Sequence, residues 1–114
     1  MGTPTITLNL ACAKSYTNNK NNVKNGLKVY LKSGETKAEV KCDIETSSTN
    51  NLYYIYLPKW GDGYLKNVLK LNELNIVDIY LTLTDAFGNL HECTINDGLQ
   101  LNFFETLHWV FMPS

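Results

Sequence analysis

Val77, Ile79, Leu81 and Leu83 alternate with Asp78, Tyr80, Thr82 and Thr84. A period of two with one apolar face describes a half-buried strand. The return run offers His91, Cys93 and Ile95 on one side and Leu90, Glu92, Thr94 and Asn96 on the other. A four-residue loop between the runs would set Leu81 opposite Glu92 and mix the faces. A five-residue loop, Asp85 to Asn89, pairs Thr84 with Leu90. Leu83–His91, Leu81–Cys93 and Ile79–Ile95 then share the core face, while Thr82–Glu92 and Tyr80–Thr94 share the wet one. A slip of one residue inverts every side chain, so the register that keeps both faces consistent is the expected one. Gly88 supplies the positive φ such loops need, and Asp85 opens the turn.

Other segments read the same way. Thr5 to Cys12 is expected as a strand with Ile6, Leu8, Leu10 and Cys12 inward. Lys14 to Gly26 has little to bury and reads as a long polar surface loop, either filler or a contact loop. Leu27–Lys32 and Glu35–Ile44 form a second hairpin about Ser33-Gly34. A register with Val29 opposite Ala38 and Leu27 opposite Val40 also sets Lys28 against Glu39 and Lys32 against Glu35. Thr46 to Asn51 is a polar loop, and Leu52–Leu57 is a strand stopped by Pro58. Trp60-Gly-Asp-Gly63 is a turn. Lys66–Asn72 suits a strand through Leu69 and Leu71, although a short helix fits Leu65, Val68 and Leu69. Asn96-Asp-Gly98 is read as a further turn.

The C-terminal run keeps one parity through Leu99, Leu101, Phe103, Leu107, Trp109 and Phe111, broken at Glu105. As one strand it would be roughly 43 Å long at about 3.3 Å per residue, beyond the usual strand length. It is therefore two strands with a bend near Glu105, or a strand that leaves its own sheet. A helix also fits locally, through Phe103, Leu107, Val110 and Phe111.

About eight strands and no convincing long helix give an all-β fold class: an antiparallel β-sandwich, immunoglobulin-like or jelly-roll-like, with a barrel as the second choice. The 114 residues form a single domain, 1–114, with 104–114 a candidate C-terminal assembly arm. The run from Val68 to Leu74, with Asp78-Ile-Tyr80 and Thr84 to Asn89, resembles the last three strands of immunoglobulin-like sandwiches. That resemblance would put Tyr80 in a tyrosine-corner-like position and concerns the fold alone.

Charge narrows the partners. Net charge is −1 and all ten basic residues are lysine. Without arginine the chain lacks the planar fork used on phosphates and guanines, so nucleic acid is not expected. No apolar run approaches a membrane span, so no membrane partner is expected. Met1-Gly-Thr-Pro4 leads into the first strand without a charged or apolar leader, which predicts synthesis in the cytoplasm without a signal peptide. Three cysteines, each on an apolar-alternating face, read as reduced and buried.

The sequence contains no glycine-rich phosphate loop, HExxH, CxxC or Gly-x-Ser-x-Gly. His91 and Cys93 have the spacing of half a metal site, which Cys12, Cys42 and His108 could complete only if the fold converged there. No catalytic residue, metal or cofactor is expected. The surface signal is aromatic. Tyr53, Tyr54, Tyr56, Trp60 and Tyr64 crowd one stretch, and the chain ends on Trp109-Val-Phe-Met-Pro-Ser114. Tyrosine and tryptophan combine apolar area with a polar tip, which suits contact surfaces. Tyr54, Tyr56, Trp60, Phe104, Trp109 and Phe111 are the candidate partner-binding residues. These features lead to the expectation of a non-catalytic structural protein in a virion. Its setting would be a bacteriophage particle, as a capsid decoration or auxiliary protein or a fibre or baseplate adaptor. Its partners would be copies of itself or other virion proteins. The alternative is a glycan- or ligand-binding module that uses Tyr54, Tyr56 and Trp60 as a stacking platform. An enzyme or metal protein centred on His91 and Cys93 is the third reading.

Overall fold

A computed structural model describes residues 4–9, 26–46, 52–72, 75–84, 88–101, 104 and 108–111. The side chains of Leu8, Asn9, Thr46, Leu52, Asp97 and residues 108–111 lie outside the described part. Eight strands occur among these residues: β1 (Thr5–Asn9), β2 (Leu27–Ser33), β3 (Thr36–Val40), β4 (Asp43–Thr46), β5 (Leu52–Tyr56), β6 (Ile76–Thr84), β7 (Leu90–Gln100) and β8 (His108–Phe111). They build two four-stranded sheets packed face to face, an all-β sandwich. Sheet A has the order β4-β5-β1-β8 and sheet B the order β3-β2-β6-β7.

The β6–β7 hairpin has the register its alternation dictates. Leu83 faces His91, Leu81 faces Cys93, Ile79 faces Ile95 and Thr84 faces Leu90. Gly88 takes φ +85 at the end of the loop. Residues 85–87 of that loop lie outside the described part. The expected turn at Asn96-Asp-Gly98 is instead a bulge within a continuous β7. Pairing shifts between Val77 and Ile79, and Val77 meets Leu99. Gly98 adopts φ +60 there and donates its N–H to the Asp78 carboxylate at 3.1 Å. A strand that contains a bulge can absorb Asn-Asp-Gly without reversing direction.

The second hairpin is displaced by two residues from expectation. Val29 pairs with Val40, Leu31 with Ala38 and Ser33 with Thr36. The turn is therefore Gly34-Glu35, with only Gly34, at φ +61, in the left-handed region. Centring it on Ser33-Gly34 would place Ser33 first in a two-residue loop, where primed turns require positive φ. A shift of two keeps the faces, so turn chemistry decided the register. The exposed Lys–Glu pairings that favoured the other register are individually worth only about 0.2–1 kcal/mol. The strand expected over Glu35–Ile44 is also broken. β3 ends at Val40, and the chain crosses at Lys41-Cys42 to begin β4 in the opposite sheet.

Tyr64–Val68 forms a π-helical turn, not the expected strand over Lys66–Asn72. Gly63, at φ +79, starts it and Lys70, at φ +59, ends it; these two left-handed residues interrupt any extended run. Leu65 is wholly buried and Val68 is exposed. The C-terminal run does resolve into two strands. β7 ends at Gln100, and Leu101 and Phe104 are both completely buried where the chain crosses between sheets. β8 then lies beside β1 in sheet A and parallel to it, with His108 level with Thr5 and Phe111 with Leu8.

The core lies between the sheets. Ile6, Tyr53 and Ile55 come from sheet A, and Val29, Leu31, Val77, Ile79 and Leu81 from sheet B. Leu57, Leu65, Leu101 and Phe104 extend the same cluster. The neighbour order β3-β2-β6-β7 and β4-β5-β1 is that of an immunoglobulin-like sandwich, with β8 and its parallel pairing as the departure. Tyr80 is not a tyrosine corner. It sits mid-strand in β6 opposite Tyr30 and Thr94, and its hydroxyl bonds to Glu92.

Candidate functional site

Alternation along β5 separates its tyrosines. Tyr53 and Ile55 are buried, and Leu57 beyond the strand end is buried with them. Tyr54 and Tyr56 are therefore left half-exposed on the outer face of sheet A. On that face Tyr54 is flanked by Thr7 and Glu45, and Tyr56 by Thr5 and Asp43. The Glu45 carboxylate reaches diagonally to accept the Tyr56 hydroxyl. Burial first, then this neighbouring negative charge and hydrogen bond, push the Tyr56 phenol above its ordinary value.

The chain then turns to wall a groove beside Tyr56. Pro58 follows β5, Lys59 is extended, and Trp60–Asp62 form a 3₁₀ turn closed by the left-handed Gly63. Gly63 accepts the Asn67 N–H at 2.7 Å. A Cβ at Gly63 would lie 2.9 Å from the Asn67 amide nitrogen, so glycine suits both the reversal and the close approach. The result is a groove of about 570 Å³ with Tyr56, Leu57, Pro58 and Tyr64 as its apolar part. Asp43, Glu45 and Asp62 supply three exposed carboxylates around it and Lys41 one ammonium.

The other candidate residues do not join this face. Trp60 packs against the core and lines a separate cavity of about 420 Å³ with Lys66, Lys70, Leu71 and Asn72. Its backbone N–H meets the Phe104 carbonyl at 3.4 Å. Of the three rings needed for a glycan stacking platform, Tyr56 thus lines the groove, Trp60 lines the separate cavity, and Tyr54 is among the lining residues of neither. Phe104 is a core residue and presents no surface to a partner. Phe104 fills the core and His108–Phe111 pair with β1 in sheet A. The side chains of Trp109 and Phe111 lie outside the described part.

A second aromatic group lies on the outer face of sheet B. Tyr30 and Tyr80 are cross-strand partners with ring centroids 5.6 Å apart. The Lys37 ammonium stands over both, 5.3 Å from Tyr30 and 4.9 Å from Tyr80. The hydrogen bond to Glu92 is the main cause of the upward shift of the Tyr80 phenol, followed by burial. This group was not foreseen, because Tyr30 and Tyr80 meet only through the non-local β2–β6 pairing.

His91 and Cys93 are half-buried on β7, opposite Leu83 and Leu81. No group of three His, Cys, Asp or Glu residues that could hold a metal occurs among the described residues. Cys12 and the His108 side chain lie outside them. Cys42 and Cys93 are free thiols. Burial and, secondarily, Asp43 push the Cys42 thiol up to about 12, and its Sγ lies 3.8 Å from the Val40 carbonyl. Burial raises Cys93 as well. Both therefore remain protonated near neutral pH, where a nucleophilic cysteine would be a thiolate. Among the described residues no helix is long and apolar enough to cross a membrane. No family model, curated protein or solved structure matches the chain.

Proposed function

We propose that this sandwich is a non-catalytic assembly protein that acts through protein–protein contacts on the outer face of sheet A. The observation that carries this reading is the groove beside Tyr56, where half-exposed tyrosines adjoin Pro58 and a charged border. Such a mixture of aromatic area and polar tips is the composition of contact surfaces. The finer setting is a bacteriophage particle, as a decoration, auxiliary, fibre or baseplate component. It rests on the kind of chain this is, a small β-sandwich rich in asparagine and lysine.

The test is light scattering of the full chain at several concentrations, paired with mass spectrometry of particles purified from the source. An oligomer, or recovery of the chain with particles, is the expected outcome. In either case Tyr54→Ser/Tyr56→Ser should weaken the association while leaving the circular dichroism unchanged. A monomer at every concentration, absent from particles, would sink the reading. Truncation after Phe103 is no substitute, since it removes a core residue and a sheet strand.

A further inference from the structure

Charge is unevenly divided along the chain. Residues 1–34 contain Lys14, Lys20, Lys24, Lys28 and Lys32 and no Asp or Glu. Residues 35–114 contain all eleven acids and the other five lysines. The two parts carry +5 and −6, which together give the net −1. The near-neutral total thus conceals a bipolar chain. Lys14, Lys20 and Lys24 fall in a polar stretch, Lys-Ser-Tyr-Thr-Asn-Asn-Lys-Asn-Asn-Val-Lys24, that lies outside the described residues.

The groove beside Tyr56 has the complementary chemistry. Among the described residues around it, Asp43, Glu45 and Asp62 outnumber Lys41, while Tyr56 and Tyr64 give area on which lysine stems can lie. A run with cationic heads, aliphatic stems and asparagine amides matches both parts of that lining. An anionic partner such as nucleic acid would be repelled by the same carboxylates.

We propose that the groove of one molecule receives the Lys14–Lys24 segment of a second copy. The idea deepens the assembly reading and rests on it. The contact is heterologous: each molecule offers a groove at one place and a basic segment at another. Such contacts propagate head to tail and close into rings or run on as filaments. Their charged part is screened by salt, over a Debye length of about 10 Å at 0.1 M.

Two variants test this. One breaks the groove, Asp43→Lys/Asp62→Lys; the other breaks the segment, Lys14→Glu/Lys20→Glu/Lys24→Glu. Each is checked by circular dichroism and then measured by sedimentation at about 0.02 M and about 0.5 M salt. The wild-type chain should associate at low salt and fall toward monomer at high salt. Each variant alone should be monomeric. Their equimolar mixture should recover association, because the intact groove of one variant meets the intact segment of the other and the lysine-bearing groove meets the glutamate-bearing segment. A fluorescent peptide of residues 14–25 should bind the wild type and bind the groove variant about tenfold more weakly. A mixture that stays monomeric, or a peptide that binds both proteins equally, overturns the proposal. Variants that keep the wild-type mass overturn it as well, while leaving the broader assembly reading standing. A wild-type chain that is monomeric at both salts yet recovered with particles would also sink only the head-to-tail contact.

Discussion

The outer faces of the two sheets both carry tyrosines on neighbouring positions, and they use them differently. On sheet B, Tyr30 and Tyr80 lie against one another, their rings tilted by 37°, beneath Lys37, and Glu92 holds the Tyr80 hydroxyl. Those rings and charges satisfy each other across three strands and the start of β7. On sheet A, Tyr54 and Tyr56 are successive residues of one face of β5, and the described residues of the groove beside Tyr56 hold more carboxylates than ammonium groups. An aromatic cluster is therefore a poor guide to binding until its partners are known. Tyrosines already engaged by a cation and a carboxylate belong to the sheet's own cohesion. Tyrosines beside an unbalanced charged groove are the better candidates for recognition.

The largest blow to this contrast comes from the core that both faces stand on. Phe104→Ala removes a fully buried ring at the crossing between β7 and β8. It should cost about 3–5 kcal/mol in denaturant unfolding and lower the stability of both faces together. A loss below about 1 kcal/mol would mean the crossing is not packed as described.

Alkaline unfolding is a second lever, acting where the chain passes from sheet B to sheet A. Cys42 holds its proton in the folded state up to about 12, against 9.0 for an ordinary thiol. Between those values the native state binds more protons than the unfolded one, so stability falls as pH rises through that window. Tyr53, Tyr56 and Tyr80 act in the same direction above their ordinary value of 10.0. Melting temperature should decline from pH 9 upward, and Cys42→Ala should flatten the first part of the decline. Identical slopes for wild type and variant would remove Cys42 from the account.

The smallest effects sharpen the contrast most. Lys37→Ala should lower the melting temperature slightly and leave self-association untouched. Tyr54→Ser/Tyr56→Ser should do the reverse. If Lys37→Ala weakened association as much as the tyrosine pair did, sheet B would have to be counted as part of the contact surface.

Legibility in the sequence followed locality. The β6–β7 register could be read residue by residue, because Val77 to Leu83 alternate cleanly and the return strand follows at once. The β2–β3 hairpin was legible in its faces but not in its pairing, where one glycine's place in the turn outweighed several surface charges. Leu65, Leu69 and Leu71 imitated a strand, and only the two left-handed residues around them reveal the helical turn. For the candidate site, Tyr54 and Tyr56 were visible from β5 alone. Their acidic neighbours were not. Asp43 belongs to the run Glu35–Ile44 that reads as one strand, with Glu45 just beyond it, and nothing local announces that the chain changes sheets at Lys41-Cys42. Asp62 read correctly as a turn residue, but its place beside Tyr56 depends on the reversal through Gly63.

The parallel pairing of β1 with β8 has a consequence for how the chain is made. The two hairpins of sheet B can close soon after their residues emerge from a ribosome. One flank of β1 must wait for His108–Phe111, about a hundred residues later. Throughout that interval the growing polypeptide carries an unpaired strand edge next to a half-built core, a natural target for chaperones and for wrongful pairing between neighbouring nascent chains. Completion of sheet A thus waits until residues 108–111 have been made, and a ribosome that pauses before them would hold β1 with one edge open.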